Sequence, residues 1–431
     1  MHNIIDVVRN AYRRDYFHYL AAQFLAQFFT FGTILLVAKL LSPEELGEIK
    51  IIQAYASVFV VIAGCGLSSA LLKACSENRQ NNERYGILRA TITRALSSTV
   101  FAIGLLVILT TTGLVASSQR LRFWMLVYAS TIPLSVLTGQ LMNFLQALKK
   151  IRIMAFAQIV IRLQGFILIV IATWLWGFPG FIFATIIALA VGLWPLIHQT
   201  GVRTILKAEA KLPVGFMHMG VFAMLSALMV TLGHQADLFI LDHFSPNRAE
   251  IGFYSLAIIL VQAAWLIVHS AGVVAVPYFS ERSHDVVWFR RKLIQTQGQA
   301  SVVSVGVGIA FFAGAWVFIP FVYGDAYRAV LPYLGVLLLK NVVVSSYTII
   351  RMALIGLGKM NYNFIAFSIA TPFGLVLAYF MLQRYGIIGV AWAQGITATV
   401  TLVLLISLAA YALRDGRSLR PATDTETEST Q

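Results

Sequence analysis

AKLLSPEELGEI, residues 38–49, closes one apolar run and opens the next, and a second version of it begins the other half of the chain. In the first version Ser42-Pro43 leads to two carboxylates, Glu44 and Glu45, and the chain resumes at Gly47. In the second, Ser245-Pro246 leads through Arg248 and Glu250 to Gly252 and the run IGFYSLAIILVQ. The two Ser-Pro pairs are 203 residues apart and the two glycines 205. Working outward, GFPGFIFA at 177–184 and GIIGVAWA at 386–393 share G-x-x-G-x-x-x-A at a spacing of 209, and LQALKK at 145–150 and LIGLGK at 354–359 lie at that same spacing. Three landmarks in the same order imply a duplicated unit of roughly two hundred residues, a recurrent plan of membrane transporters, whose binding site lies where the repeats meet.

Composition agrees. The chain is 59% hydrophobic and only 12% charged, with a mean hydropathy of +0.79. Soluble domains carry about a quarter charged residues, so this is an all-α polytopic membrane protein. With about twenty apolar residues needed per span, twelve spans are expected: 17–38, 49–72, 87–115, 122–146, 153–175 and 178–198, then 215–241, 252–279, 293–322, 329–351, 361–382 and 386–413. The expected organisation is a six-helix bundle over 1–200, a cytoplasmic linker over 201–214, a second six-helix bundle over 215–413, and a disordered cytoplasmic tail over 414–431. The N-terminal stretch has neither an uninterrupted apolar segment nor a small-residue cleavage site and is expected to be retained.

Basic residues set the orientation. Of the 32 Lys and Arg, 23 fall in the segments that share a side with the N-terminus, 7 fall in the opposite loops, and Arg162 and Lys340 lie within spans. This bias predicts that both termini are cytoplasmic. The net charge of +14 is therefore topological, with some basic residues meeting anionic headgroups, and no nucleic-acid partner is expected. Trp288-Phe289-Arg290-Arg291-Lys292 is a basic interfacial stretch of this kind. Cys65 and Cys75, ten residues apart, match no metal or redox spacing and are structural.

Charge within hydrocarbon costs at least about 2.5–3.5 kcal/mol on insertion scales, so charged residues there usually face an interior cavity. Arg162, Asp237 and Lys340 are the three that lie clearly inside spans. Arg162 follows Gln158 by one helical turn, and Lys340 shares a face with Tyr347 and Arg351, at offsets of seven and eleven. These are candidate substrate contacts, set against snorkelling or pairing with a helix end. Asp237, with His234 one turn before it, is a candidate site for a coupling proton or cation, or else the structural partner of a cation on another helix. Gln23, Gln27, Gln53 and Ser57 are read as interhelical contacts.

No Walker A loop, HExxH, CxxC pair or G-x-S-x-G is present. No catalytic residue, metal site or cofactor is expected. Energy must then come from an ion gradient, the membrane potential or the substrate's own gradient.

FGTILLVAKLLSPEELGEI, followed by GCGLSSALLK, resembles the opening of bacterial polysaccharide-biosynthesis membrane proteins, the Wzx-type lipid-linked oligosaccharide flippases of the MATE-like (MOP) superfamily. IGFYSLAIILVQ, ending in VPYFSE at 276–281, is similar to the seventh-to-eighth span region of that family, and YGIIGVAWA at 385–393 to its last span. The sequence departs from the family at Glu48-Ile49-Lys50, where apolar or aromatic residues are usual. The resemblance implies two six-helix bundles in the bacterial cytoplasmic membrane, around a cavity that opens alternately to each side. It further implies an undecaprenyl-diphosphate-linked oligosaccharide as cargo, membrane lipid as neighbour, a proton or sodium ion as coupling cation, and polysaccharide polymerase and chain-length proteins as partners. Arg162, Lys340 and Arg351 are the cations such a diphosphate would meet. The rival readings are a multidrug exporter of the same superfamily, which calls for more acids in the spans, and a polysaccharide-assembly enzyme, which calls for a long outer loop.

Overall fold

The structure is a computed structural model that describes residues 16–77, 80–245, 247–281, 286–357 and 359–414. The expected tail beyond Arg414, the N-terminal fifteen residues and Pro246 lie outside the described residues. No strand occurs among the described residues; backbone N–H and C=O groups in hydrocarbon must be satisfied within the protein, and a helix does so within its own segment.

In chain order the helices are α1 (Tyr16–Leu40), α2 (Pro43–Gly64), α3 (Leu67–Ser76), α4 (Asn81–Thr111), α5 (Gln119–Tyr128), α6 (Thr131–Ala147), α7 (Ile151–Thr200), α8 (Val202–Lys207), α9 (Phe216–Phe244), α10 (Arg248–Glu281), α11 (Val286–Tyr323), α12 (Val330–Gly356) and α13 (Met360–Arg414). A short 3-10 turn, Asp325–Ala329, precedes α12. α5 and α6 together make one crossing. α7 and α13 each make two, being broken at Gly177 and Gly386. Six crossings therefore come before the segment 201–215 and six after it. Packing divides the chain into two compact units, Met1–Thr231 and Leu232–Gln431.

The two breaks explain the repeated G-x-x-G. Gly177 has φ 60° and Gly386 has φ 67°, the left-handed region that glycine enters without steric cost. Three residues on, a Cβ at Gly180 would lie 2.0 Å from the Ala172 carbonyl oxygen, and one at Gly389 would lie 2.3 Å from that of Met381. The first glycine turns the chain and the second lets the returning helix press on the outgoing one.

The opening stretch is a helix start, and α2 begins at Pro43, six residues before the expected span. Ser42 Oγ accepts from the Glu45 N–H at 3.2 Å, while the Ser42 N–H donates to Glu45 Oε2 at 3.2 Å. This reciprocal capping box, with proline in the first turn, satisfies donors that a helix end leaves orphaned. In the second half the cap is Asn247. Its Oδ1 accepts from the Glu250 N–H at 3.2 Å and its Nδ2 donates to Glu250 Oε2 at 3.3 Å. The true equivalence is therefore Ser42 with Asn247, at 205, and the Ser-Pro match at 203 is a slip of two residues. A proline can stand before a cap or just after it, so the dipeptide alone does not fix the register.

The capped acids also tether a neighbour. Arg120, at the start of α5, lies 3.4 Å from Glu48 and 3.7 Å from Glu45. In the other unit Tyr333, near the start of α12, donates to Glu250.

The expected second span ends early, at Cys65-Gly66, where both residues have positive φ. A Cβ at Gly66 would sit 2.0 Å from the Gly220 carbonyl oxygen on α9. Arg89 Nη1 donates to the carbonyls of Leu206 and Ala208 at 2.8 and 2.9 Å. These are the free C=O groups at the end of α8, and the cation suits that end of a helix.

Candidate functional site

The second unit gathers its polar side chains from four helices. α9 contributes His234 and Asp237, α10 Tyr254, α12 Lys340, Tyr347 and Arg351, and α13 Gln394. Asp237 and Tyr254 are 2% and 0% exposed. Tyr254 Oη donates to Asp237 Oδ2 at 2.7 Å, and the Leu238 N–H donates to Oδ1 at 2.9 Å. A carboxylate in this setting needs such donors, because desolvating an unpaired charge costs several kcal/mol.

Lys340 is half-buried, and its Nζ donates to Gln394 Oε1 at 2.9 Å. That partner is neutral. The carboxylate within electrostatic reach of Lys340 is Asp237. His234 lies within reach of both Lys340 and Arg351, so a metal cation at the imidazole would meet like charge. Arg351 is half-buried, and its Nε is enclosed with no hydrogen-bond partner among the described residues. Tyr347 is 5% exposed, beside Arg351 and edge-on to Phe367. Sequence spacing thus grouped Lys340, Tyr347 and Arg351 on one face and His234 with Asp237 on another, and the fold brings the two groups together.

Arg162 and Gln158 belong to the first unit. At about 100° per residue, the exposed Phe156, Leu163, Ile167, Ile171 and Trp174 of α7 form a single lipid-facing stripe. Arg162 is also exposed, but lies roughly 130° round the helix from that stripe, on the face of the buried Ala155 and Thr173. It makes no hydrogen bond or ion pair among the described residues, and Gln158 Oε1 is buried without a partner. These are polar groups with unused capacity on a face turned away from lipid. A cavity of about 660 Å³ at the α7 turn, lined by Leu168, Leu175, Trp176, Phe183 and Ile187 among others, is wholly apolar and offers nothing to a headgroup.

Reading from sequence missed Tyr254 and Gln394. Tyr254 lies inside IGFYSLAIILVQ and Gln394 directly follows GIIGVAWA, so one was within a quoted motif and the other next to one. Their signal was a polar group in an apolar run, which does not distinguish a site residue from an interhelical contact. Gln53 makes such a contact, with Tyr128.

A profile described as polysaccharide biosynthesis protein matches residues 12–283. No curated protein matched by sequence. Among solved structures the chain is similar to the lipid II flippase MurJ in an inward closed conformation, with TM-score 0.76 and 15% identity over 91% of this chain and 87% of that one. It is similar to an inward-facing multidrug resistance MATE family transporter of the MOP superfamily, with TM-score 0.75 and 12% identity over 91% and 95%. It is also similar to a MOP superfamily transporter from Pyrococcus furiosus with a binding pocket of reverse polarity, with TM-score 0.61 and 12% identity over 96% of both chains. Twelve crossings in two six-helix bundles, the fold of these flippases and transporters, and a family match over more than half its length identify the chain as a multi-pass membrane protein of the polysaccharide biosynthesis protein family.

Proposed function

We propose that the chain is a flippase that carries an undecaprenyl-diphosphate-linked oligosaccharide from the inner to the outer leaflet of the bacterial cytoplasmic membrane by alternating access. The observation that carries this reading is the pair of half-buried cations Lys340 and Arg351, one of them with an enclosed, unpartnered guanidinium nitrogen. Donors of that kind inside a membrane segment suit a diphosphate, which accepts several charge-assisted hydrogen bonds. Arg162 and Gln158, with unused hydrogen-bonding capacity, are proposed to add to headgroup binding from the first unit. The lipid tail would stay in the bilayer. MurJ, similar in fold, is a flippase for a lipid, which favours a lipid cargo. A multidrug exporter is less well supported, because the buried acids of α9 are already engaged: Asp237 accepts from Tyr254 and a backbone N–H, and Asp242 from Arg248.

Lys340→Ala should reduce delivery of lipid-linked sugar to the outer leaflet by about 10- to 100-fold, the equivalent of one charge-assisted hydrogen bond of roughly 1.5–3 kcal/mol, with membrane level maintained and Lys340→Arg partly active. Normal surface polysaccharide in the alanine variant would falsify this role. The basic bias further supports cytoplasmic termini. A reporter fused after Arg414 should be active only on the cytoplasmic side, and a tag in the loop at 245–247 should be labelled from outside; the opposite labelling inverts the orientation. Coupling to a proton or sodium gradient through Asp237 and His234, and contact with polymerase and chain-length proteins, are parts of the same proposal. For the first, Asp237→Asn should lose gradient dependence in a reconstituted flipping assay, and full dependence at normal specific activity rules the residue out.

A further inference from the structure

Where the connection between the sixth and seventh crossings lies against the start of α4, the two enclose a cleft of about 260 Å³. Its charged lining is Glu83 on α4 with Glu209 and Lys211 on the connection, and the amide of Asn82 lines it beside them. We infer that this cleft holds the phosphoethanolamine headgroup of a membrane lipid, with the ammonium on the two carboxylates and the phosphate on Lys211, and that the bound lipid ties the connection to α4. Nothing in this depends on the cargo carried by the protein.

The depth of the cleft points to a lipid. α4 has 31 residues, about 46 Å of helix against a hydrocarbon core of about 30 Å, so part of it stands outside the core. That part is the polar start, Asn81–Tyr85, because the far end reads GLLVILTT. Asn82 and Glu83 are thus at the level of the headgroups, and Ile87, one turn nearer the core, lines the same cleft. The walls are held in place. A Cβ at Gly86 would lie 2.2 Å from the Glu209 carbonyl oxygen, so the missing side chain lets the connection touch α4, and Arg89 grips the carbonyls of Leu206 and Ala208 just before it.

The lining selects the headgroup. Asn82, Glu83, Glu209 and Lys211 are exposed, and among the described residues they form no hydrogen bond or ion pair that would occupy them. A primary ammonium brings three N–H donors, and the two carboxylates and the Asn82 amide oxygen are three acceptor groups. Lys211 is left for the phosphate. A choline headgroup has no N–H to give and is recognised by aromatic cages, whereas no aromatic side chain lines the cleft. A glycerol headgroup would set its negative phosphate among two carboxylates with no cation of its own. A metal ion lacks ligands, since no group of three acidic, histidine or cysteine side chains able to hold one occurs among the described residues. A peptide is too large for a space below the roughly 300–1,000 Å³ of small-molecule sites.

The test uses purified full-length protein in a nonionic detergent, titrated with phosphatidylethanolamine, phosphatidylcholine and phosphatidylglycerol of identical short chains. Bound lipid is counted by native mass spectrometry, and hydrogen exchange is followed at residues 82–87 and 209–213. The ethanolamine lipid should bind about tenfold more tightly than the choline lipid, as one charge-assisted hydrogen bond would give, and should slow exchange in both segments. Glu83→Gln/Glu209→Gln should erase that preference and the slowing, and each single variant should reduce them. Lys211→Ala should weaken binding of the ethanolamine lipid, and Lys211→Arg should keep it. Because these side chains are exposed and unpaired, all of the variants should give the normal yield of folded protein. Equal binding of the three lipids, an ethanolamine preference that survives the double variant, or slowing of both segments by magnesium without lipid would each overturn the inference. Lys340 and Arg351 are untouched in every variant, so the flippase reading is tested separately.

Discussion

In the first half the tight turn after the fifth crossing sets Gly180 against the Ala172 carbonyl, and 209 residues later Gly389 meets Met381 in the same way. The same shift applied to the charged positions finds nothing alike: Arg162 falls on Thr371, and Lys340 on Thr131. With the spacing of 205 that relates the helix caps, Asp237 falls on Gly32. The first and fifth crossings also touch in both units, at Gly32 and Phe166 in one and Gly233 and Thr371 in the other, though at positions 201 and 205 residues apart. Positions fixed by backbone geometry have therefore stayed equivalent, because few residues satisfy a left-handed turn or a carbonyl at contact distance. The charged positions carry no such constraint, and the two units differ there: among the described residues Arg162 has no hydrogen-bond or ion-pair partner in the first, whereas in the second Lys340 donates to Gln394 and Asp237 accepts from Tyr254.

The largest expected effect tests the scaffold side of this comparison. Gly180→Ala and Gly389→Ala each put a carbon within 2.0–2.3 Å of a backbone oxygen, and each should cost about 3 kcal/mol or more, the upper range for overpacking. The amount of monodisperse protein extracted from membranes checks this, and tolerance of one variant but not the other breaks the equivalence. Smaller effects are expected at the tethers, where the halves use different chemistry. Tyr333→Phe removes a bond to a carboxylate on a largely buried tyrosine and should cost about 1.5–3 kcal/mol. Arg120→Ala loses an ion pair whose arginine is 54% exposed and should cost less than about 1 kcal/mol. Thermal unfolding in detergent would rank them, and the reverse order would mean that the exposed pair holds more than its setting suggests. A comparably small effect sharpens the register. Ser42→Ala and Asn247→Ala should each cost about 1 kcal/mol as lost caps, whereas Ser245→Ala should cost less than Asn247→Ala. A greater loss at Ser245 would restore the 203 spacing.

These elements also mark what one dimension can carry. Hydropathy gives the crossings, because span length is set by the bilayer, and the glycine motif gives the hairpin turns, because only glycine fits there. The capping box at Ser42 and Glu45 was legible as S-x-x-E, but the more conspicuous Ser-Pro drew the repeat two residues out of register. Cations within spans marked Arg162 and Lys340 as unusual. What could not be read was the partnership of Asp237 with Tyr254 and of Lys340 with Gln394, since such pairs join helices that are neighbours in space while 17 and 54 residues apart in sequence.

The clamp made by Arg89 on the carbonyls of Leu206 and Ala208 shortens the connection between the sixth and seventh crossings more than its sequence suggests. From Gly201 to Gly215 it runs fifteen residues, but the part up to Glu209 is pinned, the last of these residues by its carbonyl against Gly86. Only residues 210–215 remain as slack. Six extended residues reach about 20 Å, so the start of α9 is leashed to α4, and the travel available to that end of the seventh crossing is set by the Arg89 clamp and the Gly86 contact together.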